Sequence, residues 1–145
     1  VPLAGSYTAT KAAVVALTEA WSTELADSAI HVSVLAPAFV KTRIHQSHRN
    51  RQARYAPTTA PGPEVMKMAK GSAQAVENGI DPELLAKRVL EALDAKETYI
   101  FTHPKYRFVT DERSANIAKA FDSAAESPLV ADVAEAPMAL GFVDS

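Results

Sequence analysis

The chain has 145 residues, 48% hydrophobic and 22% charged, with a formal net charge of −2. That balance suits a folded globular domain and leaves no electrostatic pull toward nucleic acid or an anionic membrane surface. Cysteine is absent, which excludes disulfides and thiolate metal sites; no apolar run approaches the roughly 20 residues of a spanning helix and no signal pattern opens the chain, so a cytoplasmic protein is expected.

The first six residues, Val1-Pro2-Leu3-Ala4-Gly5-Ser6, lead almost directly into a helix, with neither an initiating methionine nor a preceding strand. The expectation is therefore the second part of a longer protein, with an N-terminal half missing. From Ser6 to about Asp27 the chain is rich in alanine, leucine and glutamate with no internal glycine or proline, which predicts one long helix. A turn of about 100° per residue sets Tyr7, Lys11, Val14, Thr18, Trp21 and Leu25 on one side, with Trp21 expected in the core. Ala9, Ala12, Ala13, Ala16 and Ala20 fall roughly opposite. This alanine stripe reads equally well as plain helix propensity and as a face for another helix.

Ile30-His31-Val32-Ser33-Val34-Leu35-Ala36 is β-branched and nearly continuous in apolar character, which predicts a strand buried on both faces of a parallel sheet, ended by Pro37. A long helix followed at once by such a strand is half of a βαβ unit. Residues from about 39 to 63 form an irregular flap with Pro57, Pro61, Gly62 and Pro63 near its end, and a short helix is expected around Ser47 to Arg54. No acidic residue lies between Asp27 and Glu64, while Lys41, Arg43, Arg49, Arg51 and Arg54 all do.

A second helix is predicted from Pro63 or Glu64 to Asn78, with Gly79 as a left-handed C-cap residue. Asp81-Pro82-Glu83 starts a third, with Leu84, Leu85, Val89, Leu90 and Leu93 as its apolar stripe. Thr98 to Thr102 reads as a short strand and Pro104 to about Ala125 as a further helix. The tail, about 127–145, carries no strong signal.

Tyr7 and Lys11 stand one helical turn apart, so an ammonium can sit beside a phenol. A tyrosine ionises near ~10, and a fixed cation close by favours the phenolate. In order along the chain come Tyr7-x-x-x-Lys11 with Ala12-Ala13, Leu17-Thr18-Glu19, Leu25, Ile30-x-Val32, Val34 and Pro37-x-x-Val40-x-Thr42. This combination resembles the C-terminal half of the short-chain dehydrogenase/reductase (SDR) family.

The resemblance implies an α/β fold: the C-terminal part of a Rossmann-like doubly wound parallel sheet, with residues 1–145 belonging to a single domain. It implies an oxidoreductase that interconverts a secondary alcohol and a ketone with NAD or NADP. Tyr7 would be the general acid/base, and Lys11 would lower its pKa and bind the nicotinamide ribose. Pro37, Val40 and Thr42 would lie along the nicotinamide, Val40 through its backbone and Thr42 through its hydroxyl. Where the family commonly has glycine this chain has Ala38, and the glycine-rich nucleotide turn and the catalytic serine are absent from it. Ser6, adjacent to Tyr7, reads as part of the helix start and not as that serine.

An apolar or aromatic small molecule is the expected substrate, from Phe39, Ile44, Tyr55, Met66 and Met68. Neither nucleic acid nor a membrane is an expected partner, and a homodimer or homotetramer is. His45 and His48 stand at helical spacing but among cations, so no metal site is expected. The alternative function is a non-catalytic packing or oligomerisation module, inactive alone.

Overall fold

The computed structural model describes residues 4–55 and 58–134. Val1 to Leu3, Pro57 in the flap and the tail beyond 134 lie outside the described residues. The chain divides into two compact units, residues 1–103 and 104–145.

In the first unit, α1 (Gly5–Glu24) leads through a turn to β1 (Val34–Ala36). Two 3-10 stretches, Ile44–Asn50 and Ala53–Tyr55, occupy the flap. Then come α2 (Pro63–Glu77), α3 (Pro82–Asp94) and β2 (Tyr99–Phe101). The two strands are parallel, with Val34 opposite Tyr99, Leu35 opposite Ile100 and Ala36 opposite Phe101. Two helices thus lie in the crossover between two parallel strands, the βαβ arrangement.

The strand at Ile30 to Ala36 is shorter than its apolar run implied, and it is not buried on both faces: Val34 is buried while Leu35 and Ala36 are exposed. Its ladder can extend only as far as its neighbour, and β2 offers three residues. Ahead of the ladder, Val34 N–H donates to Thr98 O at 2.8 Å and Ser33 Oγ to Glu97 O at 2.8 Å.

The core consists of Thr18, Val34, Val76, Ala92 and Ile100. On α1 the inward line is Val15, Thr18 and Ser22, continued by the C-cap residue Leu25, at alternating spacings of three and four. Trp21 leaves that line by roughly 80° and is 45% exposed, so it is not a core residue. On α3 the inward line is Leu85, Arg88, Val89 and Ala92, the last fully buried, while Leu84, Leu90 and Leu93 of the expected stripe are exposed. Helix α3 packs against β2, and both Ala92 and Ile100 are buried, which suits a small side chain on one element and a large one on the other.

Gly79 does not adopt the left-handed conformation expected of it; no described glycine has positive φ. Helix α2 ends at Glu77 with Asn78 as its C-cap, and Ile80 then pairs in parallel with Val40. The left-handed residue is Lys96, φ 54°, at the end of α3. There Glu97 N–H donates to Ala92 O and Lys96 N–H to Leu93 O, the paired bonds of a Schellman cap.

The second unit begins with a 3-10 turn, Pro104–Tyr106, followed by α4 (Arg107–Ala125) and a short α5 (Ala131–Ala134). No described helix is long and apolar enough to cross a membrane.

Candidate active site

The two ends of the first unit are distinguished by their lining. Ser22 of α1 and its C-cap residue Leu25, Ile30 and Val32 ahead of β1, and Lys96 ahead of β2 border one cavity. The C-terminus of α1 therefore lies at the entry end of both strands. Its N-terminus, about 16 Å from Thr18 to Tyr7 along the axis, points to the exit end, where open parallel sheets bind ligands.

Tyr7 and Lys11 prolong the same line of helix positions that buries Thr18. They continue the sheet-facing side of α1 toward its N-terminus. Both are exposed, Tyr7 by 63%. Lys11 Nζ lies over the Tyr7 ring, 5.5 Å from its centroid. The Tyr7 carbonyl accepts from Thr10 Oγ1 at 2.7 Å, whereas its hydroxyl is open to a ligand. A phenol with an ammonium alongside is equipped to exchange a proton with a bound oxygen.

Past the exit end of β1, Pro37 closes the strand and the chain re-forms one parallel bridge, Val40 with Ile80. Ile80 N–H donates to Phe39 O at 3.0 Å and Lys41 N–H to Ile80 O at 2.9 Å. Since donors and acceptors alternate along an extended chain, these bonds use Phe39 and Lys41 and leave the N–H and carbonyl of Val40 unpartnered among the described residues. A half-buried peptide group with both functions open is a ready partner for an amide. Two residues on, Thr42 Oγ1 accepts weakly from Ile44 N–H at 3.4 Å and keeps its own proton to donate.

The bridge is possible only because residue 79 is glycine. A Cβ there would stand 2.5 Å from Phe39 O and 2.7 Å from Val40 N, inside any real contact. The expectation of a helix cap at Gly79 came from its place after α2; its partner is distant in sequence and left no local signal. The Tyr99 hydroxyl was equally unforeseen: it donates to Glu19 Oε1 at 2.6 Å, tying β2 to α1. That bond raises the Tyr99 pKa above the ordinary tyrosine value.

Tyr7 and Lys11 are thus brought together, and Pro37, Val40 and Thr42 form one stretch beyond β1. No hydrogen bond, ion pair or ring contact joins the two groups among the described residues. In the flap, His45 Nε2 lies 3.9 Å from Glu77 Oε1. Its Nδ1 is buried with no partner among the described residues. Those residues contain no group of three or more histidine and carboxylate side chains that could hold a metal.

Comparison with known proteins points one way. Residues 1–53 match the family described as short chain dehydrogenase. The chain is 33% identical over 117 residues to a "CLA biosynthesis dehydrogenase/reductase" of Lactiplantibacillus plantarum, covering 77% of this chain and 41% of that protein. It is 32% identical over 105 residues to a "C alpha-dehydrogenase" of Sphingobium sp. strain SYK-6, covering 72% and 34%. The fold resembles the crystal structure of a short chain dehydrogenase/reductase from Burkholderia phymatum in complex with NAD. The TM-score is 0.71 at 27% identity, over 92% of this chain and 45% of that one. The chain therefore spans less than half the length of the relatives it matches.

Proposed function

Because the chain belongs to the short-chain dehydrogenase/reductase family, we propose that it forms the proton-transfer half of an NAD(P)-dependent oxidoreductase interconverting a secondary alcohol and a ketone. The observation that carries this reading is the Lys11 ammonium 5.5 Å from the Tyr7 ring, at the exit end of two parallel strands. Tyr7 gives its hydroxyl proton to the carbonyl oxygen on reduction and takes it back from the carbinol on oxidation. Lys11 favours the phenolate between those steps and offers Nζ to a ribose hydroxyl.

The dinucleotide, when bound, supplies or accepts the hydride. The residues present fit its nicotinamide end: the open peptide group of Val40 and the Thr42 hydroxyl match a carboxamide, which both donates and accepts. Pro37 turns the chain out of β1 so that this stretch can line a ligand. A small-molecule substrate with an apolar or aromatic body, a homodimeric or homotetrameric assembly and a cytoplasmic location belong to the same reading.

Replacing Tyr7 with phenylalanine in the full polypeptide tests it. Nicotinamide-linked turnover of ketones should fall by roughly 10²–10⁴. Intact turnover would refute the mechanism.

A second reading is a packing or oligomerisation module without activity of its own. It is favoured by the exposure of Val14, Leu17 and Trp21 on α1. Calorimetry of NADH and NADPH against the 145-residue chain separates the two: no binding by this chain, with binding by the full polypeptide, is expected of half a site.

A further inference from the structure

The flap beyond Thr42 concentrates positive charge in a way the proton chemistry does not use. Lys41, Arg43, Arg49, Arg51 and Arg54 occur within it, and no acidic residue lies between Asp27 and Glu64. None of the five makes an ion pair among the described residues. Elsewhere Lys87 pairs with Glu83 at 2.9 Å, Arg88 with Glu91 and Glu97 and Arg107 with Asp111, while other lysines and arginines also lack an ion pair among the described residues; what distinguishes the flap is its run of cations with no acidic residue in the same stretch of chain.

The flap's own bonds hold three of these side chains against neighbouring neutral groups. Arg49 Nη1 donates to Arg43 O at 2.8 Å and to Gln46 O at 3.1 Å, and Arg43 Nε points to Gln46 Oε1 at 3.4 Å. Arg54 lies over the Tyr55 ring, 4.8 Å from its centroid. These bonds brace Arg43, Arg49 and Arg54 against their own stretch of chain. The side-chain charges of Lys41 and Arg51 have no hydrogen-bond or ion-pair partner among the described residues, and both residues are exposed. The carboxylate that reaches the flap, Glu77, stands by His45 and pairs with none of the five cations, so an incoming anion meets positive charge that no carboxylate among the described residues offsets. Phe39, Ile44 and Tyr55 are exposed along the same stretch, so the surface is apolar as well as cationic.

We infer that the flap, through Lys41 and Arg51, binds a substrate that is an amphipathic anion: an apolar body with a carboxylate or phosphate remote from the carbinol carbon. The inference rests on the oxidoreductase reading for the identity of the reacting group, but the anion site stands or falls on binding alone.

The test is calorimetry on the full polypeptide with decanoate, decyl phosphate and uncharged decanol, for the parent and for a K41Q/R51Q double variant. Decanoate or decyl phosphate should bind better than decanol. The double substitution should weaken the anions about tenfold while leaving decanol unchanged. Whichever anion binds more tightly identifies the headgroup. Raising the ionic strength should weaken the anions selectively.

Equal binding of decanol, or anion binding untouched by the substitutions, overturns the inference. If the variant instead loses affinity for NADH or NADPH with decanoate unaffected, the cations serve the cofactor's phosphates and the inference is again wrong. Loss of turnover in Tyr7→Phe is read separately, so failure of the anion site and failure of the oxidoreductase reading are distinguishable.

Discussion

Substituting Gly79 by alanine should damage the site without touching any residue that meets the substrate. The added Cβ would fall 2.5 Å from Phe39 O, 2.6 Å from Phe39 C and 2.7 Å from Val40 N. All three are backbone atoms, so the segment must move as a whole. Moving it breaks Ile80 N–H to Phe39 O and Lys41 N–H to Ile80 O, each worth about 0.5–1.5 kcal/mol net. Restricting the unfolded chain returns about 0.4–1 kcal/mol, leaving a loss near 1–2 kcal/mol. At about 3 °C per kcal/mol, thermal denaturation followed by circular dichroism should show a drop of about 3–6 °C. The KM for the nicotinamide cofactor should rise as Val40 is displaced. Gly71→Ala is the control, because Gly71 lies within α2 and a Cβ there meets nothing within 4 Å. It should stabilise the chain by about 0.8–1 kcal/mol. If Gly79→Ala matched the control, the close approach of residues 39 and 79 would be refuted.

Three other perturbations probe the first unit. Lys96→Gly should stabilise it by about 1 kcal/mol in urea denaturation, since φ 54° costs a side-chain-bearing residue what glycine does not pay. Ala92→Leu should cost about 1–3 kcal/mol by overfilling the contact between α3 and β2, while Leu84→Gln on the exposed side should stay within about 0.5 kcal/mol. The third concerns pH. The Tyr99 hydroxyl donates to Glu19 only while protonated, so its folded pKa lies above the unfolded value. The bond contributes below about pH 10 and is lost as pH rises through the raised Tyr99 pKa. Of the four tyrosines, one should therefore ionise late in a phenolate absorbance titration, and Glu19→Gln should bring it earlier.

What could be read from residues alone divides by range. The helix from Gly5 to Glu24, the start of α3 at Asp81-Pro82 and the two strand centres are local events, set by composition, spacing and proline, and the sequence shows them within a few residues. The parallel pairing of Val34 to Ala36 with Tyr99 to Phe101 follows from two helices intervening. Burial was harder, because it depends on which neighbour each element meets. Trp21, Leu84, Leu90 and Leu93 have the character of core residues, yet the lines that meet the sheet run through Val15 and Thr18 on α1 and Leu85 and Ala92 on α3.

Gly79 and Lys96 show the limit most sharply. A glycine after a helix ordinarily signals a left-handed cap, but Gly79 keeps negative φ and serves a close approach to Phe39, 40 residues away, which no local pattern encodes. Lys96 carries the left-handed turn that glycine would favour, in an Ala-Lys-Glu sequence without any marker. The two exchanges have different consequences. The strain at Lys96 is stability alone, since Glu97 and Ala92 close the cap whichever residue occupies the turn. The approach at Gly79 sets which peptide groups between Pro37 and Thr42 are tied and which stay open, and it leaves those of Val40 open. Tyr7 and Lys11 need only a helix to stand together, so their pairing is legible in the sequence. The surface proposed to hold the nicotinamide beside them needs a glycine from another element, and that dependence becomes visible only in the fold.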